Sequence, residues 1–454
     1  MTQVQQMAAL VQRASFDEIS EAAKHHLKMH ILDTLGCALA VLGEGPLRAT
    51  RAQADEFGGD GPCTLIGGGK ASPPCAAFYN TTLTRYLDFM DNYLGESETC
   101  HPCDNLASVL AATEYAGGSG KDLMTALAVA YQVQCRMTGA APIMQRGFDH
   151  TTQLSFSLAA GVAKALGMDA EQTANAIALC GAEHNALAVI RAVPISQWKG
   201  LASSQTALGC VHATFLARRG VTGPLGVFEG PKGFQNAIGE PVDVEWTKED
   251  LEIVTQTLLK SYNSEVHTQP AIQCLLELRE AQPFTAGEVA RIELETFEVA
   301  YNITGGGEYG PKYDVETKEQ ADHSLPYVLA VAALDGDVQP EQFAPERIRR
   351  GDVQALLRRV SVRPDKEMTK RYPEKMPARV TVHLTDGRVL AHEVRDYPGF
   401  NSRPFSWEQC VAKFERIASP HTSERQRRQV IAAVADLENI AAADLTAALG
   451  QTRH

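Results

Sequence analysis

The sequence has no long hydrophobic run and no excess of positive charge. Its apolar stretches, such as residues 31–42 and 158–166, are broken by glycine or charged residues and fall short of the roughly 20 residues that cross a bilayer. The 454 residues carry a formal net charge of −13, and Lys and Arg are scattered, so nucleic-acid phosphates would meet repulsion over most of the surface. These absences predict a protein that binds neither a membrane nor a nucleic acid.

A secretory signal and a disulfide framework are missing as well. Residues 1–20 contain acidic side chains and lack the unbroken apolar stretch of a signal peptide. The 10 cysteines are dispersed, and Cys37, Cys180 and Cys210 lie in Ala/Leu-rich stretches that are typical of buried, reduced thiols. We therefore expect a cytoplasmic location.

Three signatures of ligand chemistry are incomplete. Cys100 and Cys103 form a C-x-x-C, but neither a second such pair nor an H-x-x-H pair exists to complete four metal ligands. Gly305-Gly306-Gly307 is not followed by the Lys-Ser or Lys-Thr of a phosphate-binding loop, and no G-x-S-x-G nucleophile motif occurs. The sequence favours a protein without a bound metal.

The first part of the chain has a helical pattern. From residue 15 to about 257, apolar residues recur three and four positions apart between Gly, Pro and Asp signals. Residues 104–115 and 153–166 are two examples, and Asp169 is placed to cap the helix after the second. A chain of this length is too long for one core, so we expect two domains.

Strand patterns begin after about residue 283. Residues 289–299 alternate between apolar and polar side chains, and residues 359–362 form a short β-branched piece. Residues 379–384 and 388–394 flank Asp386-Gly387, a pair that suits a tight hairpin turn.

Helical patterns interrupt and then follow these strands. They occur at residues 325–334 and 352–357, and the helical period returns from Ser406 onward. We predict a mainly α protein with a large all-helical domain, residues 1–270 and 400–454. A smaller α+β domain, residues 271–399, is inserted before the C-terminal helices.

The densest polar cluster lies between Asp88 and Asn105. It contains Asp91 and His101 in a connection between helices, and this combination of histidine and carboxylates suits proton transfer. A solvated loop in which Asp104 caps a helix would explain the same residues.

A second group of candidates follows along the chain. His150 comes directly after Asp149 at the start of an Ala-rich helix, where an anion would be favoured, although Asp149 could simply cap that helix. Lys199 and Lys260 have apolar or aromatic neighbours, and lysines of this kind often only cover apolar surface. Two further histidines precede helical patterns and would alone be structural: His267 and His323.

Taken in order, these motifs resemble the MmgE/PrpD family, which includes 2-methylcitrate dehydratases, cis-aconitate decarboxylases and an iminodisuccinate epimerase. The resemblance covers nearly the whole chain. Its carriers are Tyr86-Leu87-Asp88-Phe89 with Asp91, His101-Pro102 with Asp104-Asn105, Asp149-His150, Trp198-Lys199, Glu265-Val266-His267-Thr268-Gln269, and Ala321-Asp322-His323-Ser324-Leu325-Pro326-Tyr327.

The resemblance implies a helical domain with a smaller α+β lid domain, a homodimer, and an active-site cleft that needs no metal or organic cofactor. The positions that match the family's active-site region are Asp91, His101, His150, Lys199 and Lys260.

The sequence departs from the family's pattern at two positions. Cys103 stands where dehydratases often have Ser, and Asn92 replaces a common Thr. Asp149-His150 is nevertheless the form seen in dehydratases rather than in decarboxylases.

We therefore expect a cofactor-independent lyase that dehydrates a small hydroxy-polycarboxylate, such as 2-methylcitrate or citrate, to an aconitate-type product. In this hypothesis Asp91 and His101 form the proton-transfer pair, and His150 is a second acid or base. The predicted substrate-binding side chains are Lys199, Lys260, His267 and His323. A decarboxylase and an epimerase of the same family are the alternatives, and a catalytically silent helical assembly protein is the alternative from another class.

Overall fold

The computed structural model of the chain describes residues 1–95 and 98–451, and helices dominate it. Most helices of the first half begin at a Ser, Thr, Asp or Pro, which either caps the free N–H groups or lacks one. The helices before residue 260 are α1 Gln3–Arg13, α2 Glu21–Leu39, α3 Gly45–Phe57, α4 Pro73–Tyr86, α5 Leu106–Ala116, α6 Gly120–Ala140, α7 Thr151–Ala165, α8 Ala170–Glu183, α9 Ala202–Arg218 and α10 Phe234–Ile238.

The remaining helices are shorter on average. Those after residue 260 are α11 Gln269–Ala281, α12 Glu298–Ala300, α13 Lys318–Ala321, α14 Leu325–Asp335, α15 Pro345–Ile348, α16 Gly351–Leu357, α17 Lys366–Thr369, α18 Trp407–Ala418, α19 Glu424–Ala435 and α20 Ala442–Leu449.

The strands are β1 Cys63–Thr64, β2 Lys70–Ala71, β3 Tyr93–Leu94, β4 Thr99–Cys100, β5 Val289–Thr296, β6 Val360–Pro364, β7 Ala378–Leu384 and β8 Val389–Val394. The last four form one sheet, in which they lie in the order β6-β5-β7-β8. Strand β5 runs parallel to β6 and antiparallel to β7, while β7 and β8 form an antiparallel hairpin. Two small hairpins, β1 with β2 and β3 with β4, lie among the N-terminal helices.

The local sequence signals are confirmed at several places. The Asp169 side chain accepts the backbone N–H of Gln172 at the start of α8, as a capping residue does. Gly387 has φ of 90°, the positive value that a tight hairpin turn needs between β7 and β8. The alternating segment that begins at Val289 is a strand only as far as Thr296, because α12 begins at Glu298.

The C-terminal helices pack back onto the N-terminal ones. Phe414 of α18 lies against α2 at Gly36, where a Cβ atom would approach Phe414 Cδ2 to 3.0 Å. Lys413 on the same helix pairs with Asp33 of α2 at 2.7 Å. The helical core therefore contains both ends of the chain, whereas the sheet packs with α11 and α14 in a separate apolar cluster. The predicted domain division at residues 271 and 399 stays a prediction.

Among the helices of residues 1–95 and 98–451, none combines the length and the apolar composition that a membrane crossing requires. The mainly α class is confirmed, with the strands concentrated between residues 289 and 394.

Candidate active site

A cavity of about 300 Å³ lies where the helical segments around residues 85–150 meet the segments after residue 265. Its lining is rich in groups that carry or exchange protons, and one wall is apolar. The polar lining residues include Arg85, Asp88, His101, Asp149, His150, Arg191, Glu265, His267, Tyr309 and His323. The apolar wall contains Met144, Val299 and Ile303.

Asp88 is the centre of a buried ion cluster at the wall of the cavity. It follows the last turn of α4 and has φ of 58°, a left-handed conformation that is uncommon for a residue other than glycine. Its carboxylate oxygens lie 3.0 Å from Arg85 Nη1, 2.8 Å from Lys199 Nζ and 3.0 Å from Lys260 Nζ. Burial would raise the pKa of Asp88, but these three cations together hold it well below its usual range.

Asp322 extends this cluster toward His323. Lys199 Nζ lies 3.2 Å from Asp322 Oδ1, and Lys318 Nζ lies 2.7 Å from Oδ2. Burial opposes ionisation of Asp322, yet the two lysines lower its pKa, so the carboxylate remains charged. His323 Nδ1 lies 2.6 Å from Asp322 Oδ1, a distance at which the ring N–H donates to the carboxylate.

His101 is held in one neutral form by its neighbours. Its Nδ1 lies 2.9 Å from the Asp91 carbonyl oxygen, and Nε2 lies 3.3 Å from Arg85 Nη2. A guanidinium can only donate, so Nε2 accepts and the proton resides on Nδ1.

The neighbouring amide of Asn92 agrees with this tautomer. An Nδ1–H cannot accept from Asn92 Nδ2 at 3.0 Å, whereas a flipped amide places Oδ1 there as a second acceptor. Burial, with Arg85 adding to it, holds the pKa of His101 well below its usual range.

His150 has the same arrangement with a second arginine. Arg191 Nη2 lies 2.8 Å from His150 Nε2, and Arg191 also binds the Asp149 carboxylate through Nε at 2.7 Å. Burial is the main reason that the pKa of His150 falls to about 3. Asp149 also accepts the Thr151 N–H at 3.1 Å, while the N-cap position of α7 is His150.

His267 is fixed by groups on both sides of its ring. Its Nδ1 donates to Glu265 Oε1 at 2.7 Å, and its Nε2 lies 3.1 Å from the Tyr372 hydroxyl. Glu265 itself borders the cavity and accepts the backbone N–H of His267 at 2.8 Å.

Asp91 and His101 were predicted to form the proton-transfer pair, but the Asp91 carboxylate points away from the His101 ring. Asp91 is fully buried, and its carboxylate accepts from the Tyr131 hydroxyl at 2.7 Å and the Cys103 N–H at 3.1 Å, with His30 Nδ1 at 3.0 Å. Only the backbone carbonyl of Asp91 reaches His101. The Asp91 side chain points into the helical core, whereas Asp88 of the same connection borders the cavity.

The structure brings all four predicted histidines to the cavity and leaves both lysines behind it. Lys199 and Lys260 are 2% and 0% exposed, and they contact Asp88 rather than open space. Sequence reasoning missed Arg85 and Arg191, the two guanidinium groups in the lining. Arg85 stands three residues before Asp88 on the last turn of α4, and this spacing was an available signal.

The residues of the cavity do not fit a divalent metal ion. Possible ligand atoms of Asp88, Asp322 and His323 lie within 4.8 Å of one another. The two carboxylates, however, already bind Arg85, Lys199, Lys260 and Lys318, and these cations would repel another cation.

Cys103 of the C-x-x-C pair is also a poor metal ligand, because a thiol binds metal as the thiolate. The side chain is buried, and burial raises the pKa of its thiol well above the usual range, so it stays protonated.

Comparison with known proteins identifies relatives along nearly the whole chain. A 2-methylcitrate dehydratase of Cupriavidus necator is 26% identical over 440 residues, which cover 89% of this chain and 88% of that protein. An alkylcitrate dehydratase of a fungus is 26% identical over 91% of this chain and 90% of its own length. A 2-methylcitrate dehydratase of Escherichia coli K12 is 25% identical over 88% and 87%.

Family profiles match the chain in two consecutive parts. Residues 5–247 match the MmgE/PrpD N-terminal domain, and residues 262–439 match the MmgE/PrpD C-terminal domain. The first match alone covers more than half of the sequence, and the cavity described above draws its lining from both. The chain belongs to the MmgE/PrpD family.

Proposed function

We propose that the chain is a hydro-lyase that removes water from a small hydroxy-tricarboxylate of the 2-methylcitrate class. The observation that carries this proposal is the pairing of two arginines with two histidines in one cavity. Arg85 donates to Nε2 of His101, and Arg191 donates to Nε2 of His150. The relatives named 2-methylcitrate and alkylcitrate dehydratases support the same reaction type.

In this proposal, substrate that binds the two arginines activates the two histidines. A carboxylate is a better partner for guanidinium than a neutral imidazole, because both bonds of the fork are then charge-assisted. When substrate carboxylates bind Arg85 and Arg191, the Nε2 atoms of His101 and His150 are released. The added negative charge raises the pKa of both rings, so each can hold a proton near neutral pH.

Dehydration then needs two proton movements. A base takes the proton from the carbon next to a carboxylate, and the electrons of that C–H bond form the new C=C bond. The C–O bond of the hydroxyl breaks, and the departing oxygen receives a proton to leave as water. His101 and His150 face one another with ring centroids 5.1 Å apart, so one substrate can reach both.

The buried lysines support the site without contacting the substrate. Lys199 and Lys260 place positive charge behind Asp88 and so favour a polyanion in a chain whose net charge is −13. Asp91 is a positioning residue in this proposal, because its carbonyl orients His101. A homodimeric state and a cytoplasmic location remain part of the proposal.

A substrate screen tests the reaction type. Purified protein is supplied with 2-methylcitrate, citrate, cis-aconitate or iminodisuccinate, and the product is followed by absorbance and mass. A conjugated double bond formed from a hydroxy acid supports dehydration. Release of carbon dioxide or inversion without loss of mass would favour the decarboxylase or the epimerase, and turnover of none would favour a silent assembly protein.

Arg191→Met should raise KM for the substrate by roughly 10- to 150-fold, because a hydrogen bond to a charged group contributes about 1.5–3 kcal/mol. Arg191 is well placed to bind a substrate carboxylate. Its Nε binds Asp149 and its Nη2 binds His150, and no described residue occupies Nη1. Steady-state kinetics with thermal melting on the same preparation measure the change.

Two companion variants interpret that result. Arg191→Lys keeps the charge beside Asp149 but loses the planar fork, so it should retain stability while KM still rises. The exposed Arg425→Met controls for general loss of a cation. An unchanged KM in both Arg191 variants would remove this arginine from substrate binding.

Prolonged dialysis against a chelator should leave kcat and KM unchanged, because the cavity carboxylates already bind buried cations. Metal content and activity are measured on the same sample before and after dialysis. Loss of a stoichiometric metal together with loss of turnover, restored by adding that metal, would contradict this expectation.

A further inference from the structure

His323 differs from the other three histidines of the cavity in what its two ring nitrogens contact. Among the described residues, Nε2 of His101 faces Arg85, Nε2 of His150 faces Arg191, and Nε2 of His267 faces the Tyr372 hydroxyl. In His323, Nδ1 lies beside the Asp322 carboxylate, and none of the described residues has a donor or acceptor within hydrogen-bond distance of Nε2. His323 lines the cavity, and among the described residues its Nε2 has no competing donor.

The carboxylate at Nδ1 fixes both the tautomer and the orientation of the ring. Asp322 Oδ1 lies 2.6 Å away, so the proton resides on Nδ1 and the lone pair on Nε2. A carboxylate in this position also stabilises the imidazolium that forms when Nε2 accepts a proton. His323 and Asp322 therefore have the arrangement of a general base and the carboxylate that orients it.

Hydrogen bonds on both sides of His323 hold its backbone and so position the ring. The Ser324 side chain caps α14 by accepting the Tyr327 N–H, and its hydroxyl donates to the Lys312 carbonyl at 2.6 Å. The Asp322 carbonyl accepts the Glu265 N–H at 3.0 Å. Lys199 and Lys318 bind the Asp322 carboxylate and prevent it from rotating away.

We propose that His323 is the catalytic base that takes the proton from the substrate carbon, with Asp322 as its positioning residue. This inference rests on the proposed function. It assigns proton removal to His323, and protonation of the departing hydroxyl to His101 or His150. Nε2 of His323 accepts the proton, the C–H electron pair becomes the C=C bond, and the C–O bond breaks. The hydroxyl leaves as water with a proton from His101 or His150, and solvent restores both protonation states.

The charges around His323 explain why substrate is needed to make it an effective base. Burial and then Lys199 lower the pKa of His323 to about 4, although Asp322 opposes the shift. Asp88 Oδ2 lies 3.9 Å from Nδ1 and also opposes it. The carboxylates of a bound polyanion add negative charge on the Nε2 side and raise the pKa toward the neutral range, where proton transfer is efficient.

His323→Asn is the sharpest test, because the asparagine amide can still donate to Asp322 while the Nε2 acceptor is lost. We expect kcat to fall about 10²- to 10⁴-fold, the usual contribution of a positioned base, with an unchanged melting temperature and a KM within a few-fold. Asp322→Asn should lower kcat less. The exposed His212→Asn serves as the matched control and should behave like the parent protein.

A deuterium isotope effect shows which step the residue serves. With substrate deuterated at the carbon that loses its proton, the isotope effect on kcat should increase in His323→Asn, because proton removal becomes slower than all other steps. In a variant of the acid, such as His101→Asn, the isotope effect should decrease. Parental kcat in His323→Asn, or an isotope effect that decreases, would overturn the assignment.

A second measurement does not depend on turnover or on the folding of a variant. In ¹⁵N NMR of the parent protein, His323 should show the Nδ1–H tautomer, and its Nε2 signal should shift when citrate is added. An Nε2–H tautomer, or no response to citrate, would exclude His323 as the acceptor. Failure of the proposed function would be seen separately, as the absence of turnover for all four acids in the screen.

Discussion

Asp88→Asn should lower the free energy of unfolding by about 3–5 kcal/mol, the usual cost of removing one partner from a buried ion pair. The substitution barely changes the shape of the side chain, but it leaves Arg85, Lys199 and Lys260 without the carboxylate that compensates all three. Each of these cations is at most 2% exposed, so water cannot replace the lost charge. Equilibrium unfolding in urea measures the difference.

The control for this substitution is Asp386→Asn in the turn between β7 and β8. Asp386 also pairs with an arginine, Arg388, at 2.7 Å, but both side chains are about half exposed, and water screens such a pair so that it adds little to stability. An equally small loss of stability in Asp88→Asn and Asp386→Asn would show that the Asp88 cluster does not support the fold.

The same cluster predicts how stability depends on pH. The pKa of Asp88 is lower in the folded protein than in the unfolded chain, because the three cations outweigh burial. Its contribution is therefore fully present above the ordinary carboxyl range and is lost as the pH falls through the folded value. Asp88→Asn should remove this part of the acid sensitivity.

The parts of the fold that were predictable depend on neighbours in the sequence. The Asp169 cap joins atoms three residues apart, and the β7–β8 turn depends on Asp386-Gly387. The pairing of β5 with β6 joins strands about 70 residues apart, and the alternating pattern of β5 does not say which strand will lie beside it.

The residue types of the candidate site could be predicted, but the directions in which its side chains point could not. The four histidines were recognised from their motifs, and the structure brings them to one cavity. Asp88 and Asp91 stand three residues apart in one connection, and the residue types do not show that Asp88, with φ of 58°, lines the cavity while Asp91 does not. Arg191 lies on a short turn with no helical period, so its approach to His150 follows from tertiary packing alone.

His101→Asn should lower kcat by about 10²- to 10⁴-fold while the protein keeps its melting temperature, because a positioned acid or base usually contributes a factor of this size. The asparagine amide can replace the Nδ1–H that donates to the Asp91 carbonyl, so the local structure retains its hydrogen bond. What is lost is Nε2, the atom that Arg85 holds until a substrate carboxylate takes its place. Initial rates and thermal melting of one preparation give both quantities.

The pattern of the two losses distinguishes a chemical role from a structural one. A structural histidine would lower the melting temperature and leave kcat per folded molecule intact, as expected for a side chain whose contacts serve only packing. His101 is 8% exposed, and its contacts are polar, with Arg85 and the Asp91 carbonyl, so the loss should fall on kcat. A stable His101→Asn protein with parental turnover would remove His101 from proton transfer and leave His150 as the donor to the departing hydroxyl.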